Sequence, residues 1–253
     1  MPDHEERPGL VASLAAATQF LTLIPAGDGH DHPLARSVMM FPVVGAAIGL
    51  AGALFYIVAV WLGLGPVLAA IVCVVAMLVF TRGLHEDGLA DLADGLGANA
   101  DREGRLTIMR DSRIGAFGAM ALIIVIGARV AAVADLQHAM DVLAALVVAA
   151  ALSRAFMAVA MRTMPDARED GMAAAAGEPA FDQVLIALIV GAVLALVLLF
   201  PWAWIAALVG GGIAACIVGW LAMTVLGGKT GDVLGAIQQV SEIGVLAGVV
   251  AVT

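Results

Sequence analysis

Apolar residues run almost unbroken through most of the chain, and polar residues gather in a few short intervals. A helix needs about 20 consecutive apolar residues to cross the hydrocarbon core of a bilayer. Runs near that length predict spans at 38–62, 67–80, 114–134, 142–161, 184–200, 205–226 and 233–252. Residues 10–24 are also apolar, but Ser13, Thr18, Gln19 and Thr22 interrupt them and they are short for a span. They predict a helix lying in the membrane interface. Gly63–Pro66 marks a tight turn, and Pro201, beside Trp202 and Trp204, breaks the chain at a membrane surface. The predicted fold class is an all-α polytopic membrane bundle of about seven transmembrane helices, within a range of six to eight. No repeat or long linker divides residues 1–253, so a single domain is expected. Gly45, Gly49 and Gly52 form a small-residue stripe, which suits close approach of another helix and self-association into a homo-oligomer.

Composition supports the membrane reading. The chain is 62% hydrophobic and 13% charged, with a mean hydropathy of +1.04, where soluble domains carry about 25% charged residues. A net charge of −9 leaves no basic surface to track phosphates, so no nucleic-acid partner is expected. Cys73 and Cys216 each sit inside an apolar run, without disulfide or zinc spacing, as packing residues. The start, MPDHEERPGL, is acidic and does not read as a cleavable signal. Asp28, His30, Asp31 and His32 belong to a turn-rich loop that reads as solvated rather than metal-binding. Arg36, Arg82, Arg102, Arg105, Arg110, Arg113, Arg162, Arg168 and Lys229 all fall in the longer polar loops, with Arg154 near that end. The positive-inside rule puts those loops in the cytoplasm, in a chain held among membrane lipids. Arg129 tends to the opposite end, either as a charge at membrane depth that lines a cavity or as a snorkelling side chain.

Residues 81–118 hold seven of the 21 acids and five of the 12 basic residues, so the candidate chemistry concentrates there. At about 100° per residue, Asp87, Asp91 and Asp94 fall near 0°, 40° and −20° on one helix face, with Glu86 about 100° aside. Three carboxylates on one stripe repel, and Mg²⁺, which takes a few carboxylates plus substrate phosphate oxygens, removes that cost. In residues 108–118, Arg110, Asp111, Ser112 and Arg113 precede a helix start, where Ser112 is expected to cap and the arginines to clamp phosphate. The run at 227–244 carries Lys229, Thr230, Asp232, Gln238, Gln239 and Glu242. It lacks the GxxxxGK[ST] spacing of a P-loop, which excludes that class of nucleoside triphosphatase. Arg154, Gln239 and Glu242 lie at membrane depth, where polar residues line cavities. No serine triad, Cys–His pair or zinc set is visible. Membrane helices, a carboxylate stripe and scattered arginines point to phosphoryl-group transfer at a bilayer surface. A phosphotransferase for another lipid-like alcohol and an ion-coupled transporter are the alternatives.

Six stretches resemble the cobalamin synthase family, adenosylcobinamide-GDP ribazoletransferase: FLTLIP (20–25), FPVVGAAIG (41–49), LHEDGLADLADGLG (84–97), IMRDSRIGAFG (108–118), LSRAFMAVAMR (152–162) and GGKTGDVLGAIQQVSE (227–242). The resemblance implies a Mg²⁺-dependent membrane enzyme. It would join adenosylcobinamide-GDP to α-ribazole, or its 5′-phosphate, with release of GMP. It implies Asp87, Asp91 and Asp94 as the metal ligands. Arg110, Ser112, Arg113, Arg154, Lys229, Thr230, Asp232, Gln239 and Glu242 would contact substrate. The DGLAD spacing is also similar to that of the CDP-alcohol phosphotransferases, and by that analogy Asp94 is the first candidate general base, Asp111 the second and His85 the third. Glu86 stands where relatives usually carry an apolar residue and is expected outside the essential set.

Overall fold

The computed structural model describes residues 9–27, 33–199 and 201–253. Asp28, His30, Asp31 and His32 lie outside the described residues. The expected all-α architecture is present, with eleven α-helices among the described residues and no strand. Helix α1 (Leu10–Leu21) precedes a 3-10 segment (Leu34–Met40) that runs directly into α2 (Phe41–Trp61). Then follow α3 (Pro66–Thr81), α4 (Leu84–Gly97), α5 (Arg102–Ile108), α6 (Ala116–Asp135), α7 (Ala139–Thr163), α8 (Met172–Ala176), α9 (Phe181–Leu198), α10 (Ala203–Leu226) and α11 (Gly231–Val250). Six of these are long and apolar enough to cross a membrane: α2 with its 3-10 lead-in, α6, α7, α9, α10 and α11. Helix α3 meets α4 through a 90° bend, and the six spans become seven if that pair is counted as one. Helix α1, at 12 residues, is too short to cross. Helices α5 and α8 were not expected from the sequence.

Helices α7 and α11 are the most enclosed of the spans, and the others stand around them with apolar side chains turned outward. That arrangement suits a lipid solvent, because lipid tails are as apolar as the side chains facing them and small-residue contacts then decide which helices meet. Gly45 and Gly49 leave no room for a Cβ against the Ala150 and Leu146 carbonyls of α7, and Gly52 faces Met77 and Cys73 of α3. The glycine stripe expected to support self-association is therefore occupied within the chain. Gly210, Gly244 and Gly248 bring α10 and α11 equally close. Cys73 is buried as expected, whereas Cys216 is on the outer surface.

Candidate active site

The corner between α3 and α4 sets the site. Arg82 (φ 56°) and Gly83 (φ 64°) are both left-handed, a conformation that a non-glycine residue such as Arg82 adopts only at some cost. The amide of Gly83 donates to the Leu78 carbonyl at 3.0 Å, so the last turn of α3 is closed before the chain swings away. Glycines then press α4 onto α11. A Cβ at Gly88 would lie 2.9 Å from the Asp232 Cα, and one at Gly235 would lie 3.1 Å from the His85 carbonyl oxygen. This contact sets Asp232, 145 residues along the chain, beside Asp87 and Asp91. The Asp91 carboxyl is pushed up to about 7, first by burial and then by the charges of Asp87, Asp232 and Asp94.

Two cavities flank the corner. One, of about 550 Å³, is lined by Glu86, Asp87, Asp91, Ser112 and Arg82 among others. The second, of about 620 Å³, lies towards α1 and includes Gln19, Phe20, Thr22, Leu34 and Met172. Arg82 and Leu84 line both. Arg82, unremarked in the sequence as one loop arginine among several, thus stands between them. Its signal was an arginine–glycine pair at the end of an apolar helix, immediately before the carboxylates.

The expected metal triad does not assemble. Among the described residues no three His, Cys, Asp or Glu converge to hold an ion. Asp94, expected as third ligand and first candidate base, accepts hydrogen bonds from the backbone amides of Gly115 at 2.7 Å and Gly118 at 2.9 Å. It caps α6 from another helix, satisfying donors that a helix N-terminus leaves open. Ser112 does not make that cap: the N-cap position is Gly115, and Ser112 lines the acidic cavity instead. Asp87 and Asp91 are the two stripe carboxylates that line this cavity. Two carboxylates with substrate phosphate oxygens are the kind of set Mg²⁺ accepts, and the mutual repulsion at Asp91 is what a cation would relieve.

The flanking loops are tied together by ion pairs. Arg110 donates to Asp170 at 2.5 and 2.6 Å, and Arg113 pairs with Asp111 at 2.6 Å. That pairing holds the Asp111 carboxyl down at about 2, a poor setting for the base role considered for it. The Arg113 side chain is 87% exposed, and an exposed pair contributes little to stability. Arg113→Lys, which keeps the charge but loses the planar fork, is therefore expected to leave the melting temperature unchanged. If Arg113 grips phosphate, kcat/KM falls by at least ~10-fold. Unchanged kinetics would remove Arg113 from the substrate contacts.

Lys229 is neither a snorkelling side chain nor turned to a cavity. It is buried and donates to the Met164 carbonyl at 2.6 Å, with Asp166 at 3.0 Å. Its backbone exchanges hydrogen bonds with Pro165 and Ala167, so it joins the 164–168 loop to the start of α11. Thr230 caps α11 by accepting from the Val233 amide at 3.2 Å and also donates to Asp232. Arg168 approaches Asp232 at 3.8 Å. Arg105 donates to the Gly95 and Leu96 carbonyls at the end of α4, and Arg102 reaches the Leu226 carbonyl at 2.8 Å. Several loop arginines are thus structural braces around the carboxylates.

Arg154, Gln239 and Glu242, expected to contact substrate, are instead enclosed in a network with Glu86 and Arg129. Arg129 reaches Glu86 at 3.2 Å, Glu242 at 3.3 Å and Gln239 at 2.5 Å. Arg154 reaches Glu242 at 3.5 Å, while Gln239 also donates to Glu86 at 2.9 Å. The void they line is about 10 Å³, no more than one water requires. Two cations and two anions neutralise each other there. Glu86, expected outside the essential set, is buried and anchors α4 to α6 and α11 one residue before Asp87. Arg129 does not snorkel: of the two placements open to it, it takes the one at membrane depth, at the centre of this network.

A bundle of membrane helices that collects aspartates and arginines about a bent helix at one end has the make-up of a polytopic membrane enzyme. Residues 13–250 match the cobalamin-5-phosphate synthase family, and the chain belongs to that family. It is 41% identical over 249 residues to an adenosylcobinamide-GDP ribazoletransferase of Bradyrhizobium diazoefficiens, covering 97% of this chain and 96% of the relative. The protein of the same name from Azorhizobium caulinodans is 44% identical over 253 residues, covering 95% and 96%. That from Sinorhizobium medicae is 41% identical over 245 residues. No solved structure matches the chain.

Proposed function

We propose that this protein is a membrane-embedded transferase that joins adenosylcobinamide-GDP to α-ribazole, or its 5′-phosphate, and releases GMP, completing the nucleotide loop of cobalamin. The observation that carries this reading is the pair of cavities meeting at the α3–α4 corner, with Arg82 and Leu84 at their junction and Asp87 and Asp91 on the acidic side. A two-substrate transfer needs a donor and an acceptor brought to one point. The acidic cavity suits the diphosphate of the donor, with Asp87 and Asp91 to hold Mg²⁺ and Arg82 and Arg113 to meet phosphate charge. Mg²⁺ there would neutralise the diphosphate and so favour loss of GMP.

A secondary ribose hydroxyl of the acceptor, free whether or not the 5′-oxygen carries phosphate, attacks the phosphorus on the cobinamide side. The bond from that phosphorus to the bridging oxygen breaks, GMP leaves with the oxygen, and the hydroxyl proton passes to the carboxylate of Asp232, which stands beside Asp87 and is not needed for the metal. The buried network holds α4 in place, so the chain's main contribution is positioning. Purified protein incubated with both substrates and Mg²⁺ should release GMP in step with a new corrinoid nucleotide. GMP release without α-ribazole, or activity on CDP-alcohols in place of the corrinoid, would overturn the assignment.

The site faces the cytoplasm of the inner membrane in this reading, because the arginine-rich loops lie at the site's end of the bundle. In a Cys73→Ser, Cys216→Ser background, Asn99→Cys should resist a membrane-impermeant thiol reagent added outside cells. Leu62→Cys should react. The reverse pattern would invert the topology.

A further inference from the structure

On the α7 side of α4 lies a small cavity of about 60 Å³, lined by His85, Met157, Met161, Met172, Phe20 and Leu34, with Asp87 and Asp232 at its edge. His85 is only 2% exposed, and neither ring nitrogen has a hydrogen-bond partner among the described residues. A buried polar group without a partner is costly and calls for a physical reason. The cavity shares Phe20, Leu34, Leu84 and Met172 with the 620 Å³ cavity beside it. It is therefore the apolar floor of a larger, more polar space rather than an isolated void. Met172, which lines it, is 56% exposed, so the cavity is not closed on that side.

Resting on the transferase reading above, we propose that this floor binds the heterocyclic base of α-ribazole, a flat apolar bicycle with one free ring nitrogen. Three observations fit that guest. The wall is methionine, phenylalanine, leucine and alanine, so it rewards burial of an aromatic surface and offers thioether sulfurs to its edge. Methionine is the most adaptable of core side chains, which lets a cavity sized for a few waters widen around a bicycle entering from the larger space. The single enclosed hydrogen-bonding side chain, His85, carries one donor and one acceptor in its neutral form. Its N–H can donate to the free ring nitrogen of the base, and its other nitrogen can accept from a ribose hydroxyl. The placement also fits the chemistry, because Asp87 lines both this cavity and the acidic one. A nucleoside seated with its base on the floor directs its ribose toward the carboxylate that faces the donor diphosphate.

The test is equilibrium binding of α-ribazole to the detergent-solubilised protein without corrinoid, followed by the fluorescence of the benzimidazole. Steady-state kinetics follow with α-ribazole and with the riboside of unsubstituted benzimidazole. Met161→Phe shrinks the floor, Met161→Ala enlarges it, and His85→Leu removes the polar contact. We expect Met161→Phe and His85→Leu to weaken α-ribazole binding by at least ~10-fold. The KM for adenosylcobinamide-GDP should stay within about 2-fold, as expected for a pocket that contacts only the acceptor. Met161→Phe should penalise the dimethylated base more than the unsubstituted one, and Met161→Ala should shift the preference the other way. Unchanged α-ribazole binding and base preference in all three variants would overturn the proposal, as would effects confined to the KM of the corrinoid substrate. A wild-type protein that binds α-ribazole at this floor but makes no GMP would overturn the transferase reading and leave the base pocket standing.

Discussion

Asp87→Asn should reduce transferase activity by about three orders of magnitude, on the order of 4 kcal/mol of transition-state stabilisation, while Asp94→Asn should cost less than ~10-fold. The contrast follows from where the two carboxylates point. Asp87 lines both the acidic cavity and the floor beside α7, so its amide removes a hard anionic ligand at the junction of the substrates. Asp94 has its oxygens on the Gly115 and Gly118 amides. An asparagine there keeps one acceptor for the helix end, and asparagine caps helices about as well as aspartate. Asp94→Ala should lose both bonds and lower stability by about 1 kcal/mol. Asp91→Asn should behave like Asp87→Asn, but with apo stability unchanged or raised, because it relieves repulsion from Asp87, Asp232 and Asp94. Activity and melting curves across a Mg²⁺ titration check the series. A loss at Asp94→Asn as deep as at Asp87→Asn, with the melting temperature unchanged, would return Asp94 to the catalytic set.

Asp94 also shows where sequence reasoning stops. The helical spacing of Asp87, Asp91 and Asp94 was legible because α4 is regular, and the runs that became α2, α6, α7, α9, α10 and α11 were legible because a bilayer demands length and apolarity. A shared helix face does not say what each side chain meets. Asp94 meets amides 21 and 24 residues further along the chain. Glu86 meets Arg129, 43 residues away, and Gln239, 153 away. Lys229 finds the Met164 carbonyl, 65 residues back. Such partners are set by tertiary packing, here by glycines such as Gly88 and Gly235 that admit one helix to another. The general rule that intramembrane charges line cavities pointed to Arg154, Gln239 and Glu242. The other outcome open to such charges, mutual neutralisation, needs a partner that only the fold identifies.

That neutralisation makes a second large effect measurable. Arg129 and Arg154 against Glu86 and Glu242 sum to zero charge, all four buried. Arg129→Met strands two carboxylates with one arginine and should destabilise the protein by roughly 3–5 kcal/mol, the range for breaking a buried pair. Glu86→Met leaves an excess cation and should also destabilise. The double variant Glu86→Met, Arg129→Met restores neutrality around Arg154 and Glu242 and substitutes apolar volume for the lost pair. It should therefore melt above either single variant, with a coupling of at least about 2 kcal/mol. Activity gives a second, separable readout. The double variant regains the fold but not the Glu86 tether that holds Asp87, so its stability should recover further than its kcat. Additive losses in the double variant would mean that Glu86 and Arg129 do not neutralise each other. Full recovery of kcat together with stability would mean that the pair serves folding alone, and that packing of Gly88 on Asp232 suffices to place the carboxylates.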